Sequence, residues 1–210
     1  ARPLRHLLSV VTFLPAAGAL VLLLVPSHCG VALRRASLGV AVVTFALSLP
    51  LYAGFDGSTA DYQFEEFAAW LPSLGAGYHV GIDGISLLLV LLTTFLTPLA
   101  LLGAWHTVED RVKGFVATVL VLETGMLGVF VSLDLFLFYV FWEAMLIPMY
   151  LIIGVWGGAN RIYAAVKFVL YTMVGSVLML VAILALYHQH GVATGTYTFD
   201  LPTVARHVLP

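Results

Sequence analysis

Six stretches of the chain are almost free of charge, and the polar residues gather between them. The apolar runs cover residues 7–26, 36–53, 85–105, 115–133, 135–155 and 164–187. Each reaches or approaches the ~20 residues that a helix needs to cross a ~30 Å hydrocarbon core. The second run is short and holds Pro50, and the third holds Pro98. The pattern predicts an all-α, polytopic membrane helix bundle. Two segments outside the spans carry their own signal. Residues 61–71 (DYQFEEFAAWL) set Tyr62, Phe64 and Trp70 beside Glu65 and Glu66. Both a strand and an interfacial helix fit there, since aromatics at headgroup depth are ordinary anchors. Residues 191–201 (GVATGTYTFDL) alternate Thr with Tyr and Phe, which predicts a short strand.

Composition agrees with this pattern. Hydrophobic residues make up 61% of the 210 positions and charged residues 10%, against roughly 25% charged in soluble domains. The net charge of -2 is spread over loops, with no basic stripe for nucleic acid. The single cysteine, Cys29, excludes an internal disulfide, an iron–sulfur cluster and a cysteine zinc site. There is no Gly-rich nucleotide fingerprint. Any redox chemistry therefore belongs to another chain or a diffusible cofactor. Residues 7–26 read as a mature helix rather than a signal peptide, because no small-residue cleavage site follows. The chain stops after a polar segment that awaits its next element, so we read it as a fragment.

Loop charges orient the spans. His28, Arg34 and Arg35, then Arg111 and Lys113, then Arg161 and Lys167 fall on one side, which the positive-inside rule makes cytoplasmic. The loop 54–84 carries Asp56, Asp61, Glu65, Glu66 and Asp83 with no Lys or Arg, and is then external. This orientation puts the N-terminus outside, with Arg2 and Arg5 running against the rule. Two units follow: residues 1–113, with three spans and the external loop, and residues 114–210, with three spans and an external tail.

Charges inside spans are the candidates for chemistry. Glu143 is the sole charge in 135–155. It lies nine residues from Asp134, so ~13 Å deep at ~1.5 Å per residue. Intramembrane acids cost roughly 2.5–3.5 kcal/mol on insertion scales, and they mark functional sites by default. A buried carboxyl whose partner approaches or retreats is a proton-binding switch. Pro148, five residues on, cannot donate to the carbonyl of Ala144, which frees an acceptor next to the carboxyl. The bland alternative is a Glu held permanently neutral or locked to a neighbouring helix.

Glu123 reaches a similar depth in the fourth span. The short connection before Asp134 makes the fourth and fifth spans antiparallel neighbours, so the two acids are candidates to share a proton. The alternative is a Glu bonded by Thr118 or Thr124. Lys167 begins the sixth span between Tyr163 and Tyr171 at i±4. It is either a snorkelling cation or a relay. His188 and His190 fit interfacial polar residues better than a metal or proton-guiding pair, and His79 and His106 read as loop residues. Gly154 and Gly158 form a small-xxx-small pair. Asp83 and Asp134 read as helix caps.

The strings LDLFLFYVFWE at 133–143 and MLIPMY at 145–150 resemble M-type membrane subunits of bacterial proton-pumping NADH:quinone oxidoreductase, respiratory complex I. YHVGIDGIS at 78–86, ETGMLGVF at 123–130 and KFVLYT at 167–172 agree with that family. The resemblance is near-continuous from about Tyr78 onward. It implies the N-terminal part of a fourteen-helix antiporter-like fold with two inverted five-helix repeats, the first starting at the fourth span. It also implies that Glu143 pairs with a lysine on a broken seventh helix, so Lys167 is not that partner and the chain alone would not pump. The proton-translocating residues it points to are Glu143, Glu123 and Lys167, with Pro148 distorting the helix near the site. No cofactor is expected in this chain, with NADH, flavin, clusters and quinone in partner subunits. The implied partners are other membrane subunits of complex I, notably the L- and N-type neighbours, in the bacterial cytoplasmic membrane. A Mrp-type sodium/proton antiporter subunit and a hydrogenase-linked paralogue share the same features.

Overall fold

The computed structural model describes residues 6–27 and 29–208. Arg2, Arg5 and His28, used above for orientation, lie outside the described residues. Among the described residues, six helices are long and apolar enough to cross a membrane: α1 Leu7–Leu24, α2 Gly30–Ala53, α3 Gly84–Gly103, α4 Val112–Val131, α5 Leu135–Trp156 and α6 Arg161–Thr194. A short helix, α7 Leu201–Val208, follows. The helices α1 to α4 pack as a bundle, with α4 against α1, α2 and α3. α5 adds to α4, and α6 adds to α5. The outer faces of α5 and α6 stay apolar and exposed, as at Ile147, Tyr171 and Leu178.

Both ends of the bundle are tied by polar contacts. At the basic end, the Arg34 guanidinium donates to the carbonyls of Trp105 and Val108, which satisfies acceptors beyond the last turn of α3. The Trp156 indole donates to the carbonyl of Asp110 across the α4 and α5 ends. At the opposite end sits a two-stranded antiparallel hairpin, β1 Gln63–Leu71 and β2 Ala76–Ile82. Its turn uses Gly75 at φ 66, where an added Cβ would run into the carbonyl of Tyr197.

The hairpin settles residues 61–71 as a strand and makes residues 76–82 its partner, although they read as loop. His79 therefore lies in a strand, correcting its placement in a loop. Residues 191–201 differ from expectation too. α6 runs through His188 and His190 to Thr194 and closes on Gly195 at φ 74, a left-handed C-terminal stop. Beyond it only an isolated bridge forms, between Asp134 and Asp200. The alternation there is real, since Phe199 stacks on Tyr187 and Tyr197 packs tilted against the same ring. The segment finds single backbone bonds to Gly75, Leu133 and Leu135 instead of a neighbouring strand.

The two expected caps are present. Asp83 forms a capping box with Ser86 at the start of α3. Asp134 accepts from the N–H groups of Phe136 and Leu137 through Oδ1, and from that of Gly77 in β2 through Oδ2 at 2.9 Å. One buried carboxylate thus caps α5 and fastens the hairpin to it. Asp134→Ala removes the cap and strands the buried Gly77 N–H, and is expected to cost about 2–4 kcal/mol. Asn keeps the cap through its one oxygen but turns an NH2 toward the Gly77 N–H, so it should recover only the capping part. Unfolding midpoints of the purified full-length parent check this; equal midpoints for Ala and the native residue would refute it.

Candidate functional site

Depth along the bundle can be read from the closest helix contacts. An added Cβ at Gly128 would overlap the Phe141 ring, and one at Gly125 would press on Met145. Glu143 therefore lies level with the α4 segment between Gly125 and Gly128. Glu123 is about one turn, ~5 Å, nearer the basic end. The similar depth expected from counting residues holds to within that turn. The orientation differs. At ~100° per residue, Glu123 points ~160° away from Gly125 and so away from α5. It is fully buried and its interacting group is the Thr97 hydroxyl on α3. Thr97 donates to the carbonyl of Thr93, so it offers Glu123 only a lone pair. Among the described residues neither carboxyl oxygen closes a hydrogen bond of normal geometry. Thr118 and Thr124, the anticipated partners, are engaged elsewhere: Thr118 donates to Gly114 and Thr124 accepts from the Ala16 N–H of α1. Direct proton sharing between Glu123 and Glu143 is not what this geometry offers.

Glu143 is half-buried, and its Oε1 is enclosed without a hydrogen-bond partner among the described residues. One turn away on α5, the Tyr139 hydroxyl interacts with both Glu143 and Ser176 of α6. The register agrees. Gly154 faces Ala165, and eleven residues back along α5 and on along α6 lie Glu143 and Ser176. Ser176 spends its proton on the Met173 carbonyl, leaving its lone pairs free. Pro148 is buried inside α5, which continues unbroken around it. Lys167 lies nine residues from Ser176, ~13 Å along α6 toward the basic end. It is exposed, with its ammonium 5.6 Å from the Tyr163 ring centroid, while Tyr171 is exposed. The fold therefore does not bring Lys167 to Glu143. Tyr139 and Ser176 were not anticipated; the signal for Tyr139 was its i−4 spacing from an intramembrane acid.

Comparison with known proteins places this arrangement. Residues 132–206, which hold the Asp134 cap, Glu143, Pro148, Lys167 and Ser176, match the family described as "NADH:quinone oxidoreductase/Mrp antiporter, TM". NADH-quinone oxidoreductase subunit M of Rhodobacter capsulatus is 54% identical over 205 residues, covering 95% of this chain and 40% of that protein. The chain resembles the antiporter-like membrane subunits along nearly its whole length. NADH-ubiquinone oxidoreductase chain 4 of Marchantia polymorpha is 42% identical, over 90% of this chain and 38% of that one. A chain of Thermus thermophilus respiratory complex I superposes with a TM-score of 0.80 at 34% identity, covering 97% of this chain and 40% of that one. A chain of the Mrp complex from Dietzia sp. DQ12-45-1b shares the fold, with a TM-score of 0.70 at 18% identity, over 92% of this chain and 20% of that one. The chain thus spans about two fifths of the length of the curated relatives it matches. It is an integral, multi-pass membrane protein.

Proposed function

We propose that this chain forms part of an M-type, proton-translocating membrane subunit of NADH:quinone oxidoreductase. The observation that carries the reading is Glu143: the sole charge of α5, set near mid-depth, with one oxygen enclosed and unpaired among the described residues. A carboxyl in such a place gains or loses a proton only when a partner charge moves, which is what a coupled pump requires. Tyr139 and Ser176 supply neighbouring hydroxyls along which a proton can be handed. Glu123, on the other face of α4, would take a proton by a separate route past Thr97. Lys167 would act near the basic end, away from Glu143.

In this reading quinone reduction happens in other subunits and drives the translocation. The chain contributes no redox centre, and NADH, flavin, clusters and quinone lie with its partners. Those partners are other membrane subunits of complex I, with L- and N-type subunits as neighbours. The basic end faces the cytoplasm of a bacterial cytoplasmic membrane and the hairpin faces outside. Shared fold with the Mrp complex chain makes sodium/proton antiport the competing reading. Inverted membrane vesicles carrying the full-length parent are expected to acidify on NADH addition in sodium-free medium. Acidification that depends on added sodium would favour the antiporter reading instead.

A further inference from the structure

His79 sits outside the spans and is not used by the proposed translocation. Its Nδ1 lies 2.6 Å from Asp200 Oδ1 and its Nε2 lies 3.2 Å from Glu65 Oε2. The imidazole is mostly buried, with the Phe67 ring edge-on at 5.7 Å. A neutral imidazole has one N–H, and an ionised carboxylate only accepts. Both bonds close together only when the ring carries two protons. The other acids nearby are turned away: Asp134 to Gly77 and the start of α5, Glu66 to Ser9 of α1.

The elements joined are distinct. Glu65 belongs to β1 and His79 to β2. Asp200 caps α7 through Oδ2, which accepts from Thr203. The His79 carbonyl accepts from the Leu133 N–H just before α5, and Leu135 N–H donates to the Phe199 carbonyl. Asp134 and Asp200 therefore work alike: one oxygen caps a helix, the other binds β2. β2 holds the outer end of α5, which carries Glu143, against the exit of α6, which carries Ser176.

We propose that His79 is a positioning residue, a proton-operated latch that fastens β2 to the α6–α7 connection and sets the outer ends of α5 and α6. In the orientation of the preceding subsection the latch faces the side to which protons are delivered, so this inference rests on that reading for its physiological sense. The hydrogen bond to Asp200, opposed by burial and aided by Glu65, holds the His79 pKa above its ordinary 6.5. Its partner Asp200 is held below the usual carboxylate value by the bonds from His79 and Thr203, despite burial. The latch contribution is then complete at mildly acidic pH and is lost as pH rises through the raised His79 pKa. It is lost again only when strong acid protonates Asp200.

Amide hydrogen exchange of the full-length parent in detergent or nanodiscs tests this at the Leu133, Leu135, Phe199 and Leu201 N–H groups, which bond across the latch. Protection factors, corrected for intrinsic exchange, are expected to fall on the order of tenfold as pH rises through the raised His79 pKa. In His79→Gln they should be lower and independent of pH. Asp200→Asn keeps the α7 cap, so α7 amides should stay protected, while its side-chain NH2 suits a neutral His79, so protection should no longer fall as pH rises. Protection that ignores pH in the unsubstituted protein, or that titrates unchanged in either variant, overturns the proposal. Exchange is read without turnover, so failure of the latch leaves the translocation reading intact, and failure of translocation leaves the latch intact.

Discussion

Glu143→Gln in the full-length parent is expected to lower NADH-driven proton translocation by roughly a hundredfold, the scale on which a proton-transferring side chain contributes. Gln matches Glu in shape and occupies the same half-buried site beside Tyr139 and Ser176. It neither accepts nor releases a proton at any relevant pH. The substitution also removes the one charge in α5, so it should not weaken insertion of the helix. Subunit assembly is therefore expected to survive, which separates lost chemistry from lost protein. Glu143→Asp should retain part of the activity, because the carboxyl remains but is withdrawn by one methylene. Vesicle acidification, normalised to assembled complex, is the measurement. A Gln variant that pumps as well as the native protein would remove Glu143 from the pathway.

The same residue shows what was legible in the sequence. Its depth followed from counting along an uncharged run, because helix rise is constant and membrane thickness fixes the span. The caps at Asp83 and Asp134 were legible for a similar reason: helix starts expose N–H groups that a short acidic side chain satisfies. What needed the fold was direction. Similar depth on neighbouring spans makes Glu123 and Glu143 candidates to share a proton, but depth carries no direction. The glycines at 125 and 128 instead mark the contact face of α4, and Glu123 points the other way. β2 escaped notice because nearly all of Ala76–Ile82 is buried, so no alternation of polar and apolar residues advertises it. The His79 latch escaped for a different reason. Its partners stand 14 and 121 residues away, and no local pattern connects them.

Gly128→Leu is expected to prevent a stable α4–α5 pairing. In the native chain the Phe141 ring occupies the space that a side chain at 128 would fill, and Met145 does the same at Gly125. Small residues let membrane helices approach closely, and the contact supplies packing that lipid cannot replace. Overpacking such a seam costs typically 1–3 kcal/mol, and more when neither helix can shift. Here α5 is anchored at its outer end by Asp134 and at its inner end by Trp156, so little lateral relief is open to it. The functional consequence follows from register: Glu143 lies between the two glycine contacts, so pushing the helices apart moves the carboxyl off its neighbours. The expected readout is a several-fold drop in folded parent recovered from membranes, with activity per folded molecule falling as well. Phe141→Ala made together with Gly128→Leu should restore part of the yield, since the ring that clashes is gone, and the double-mutant cycle then reports coupling across one contact. Full yield and activity from Gly128→Leu alone would mean that α4 and α5 are not held this closely.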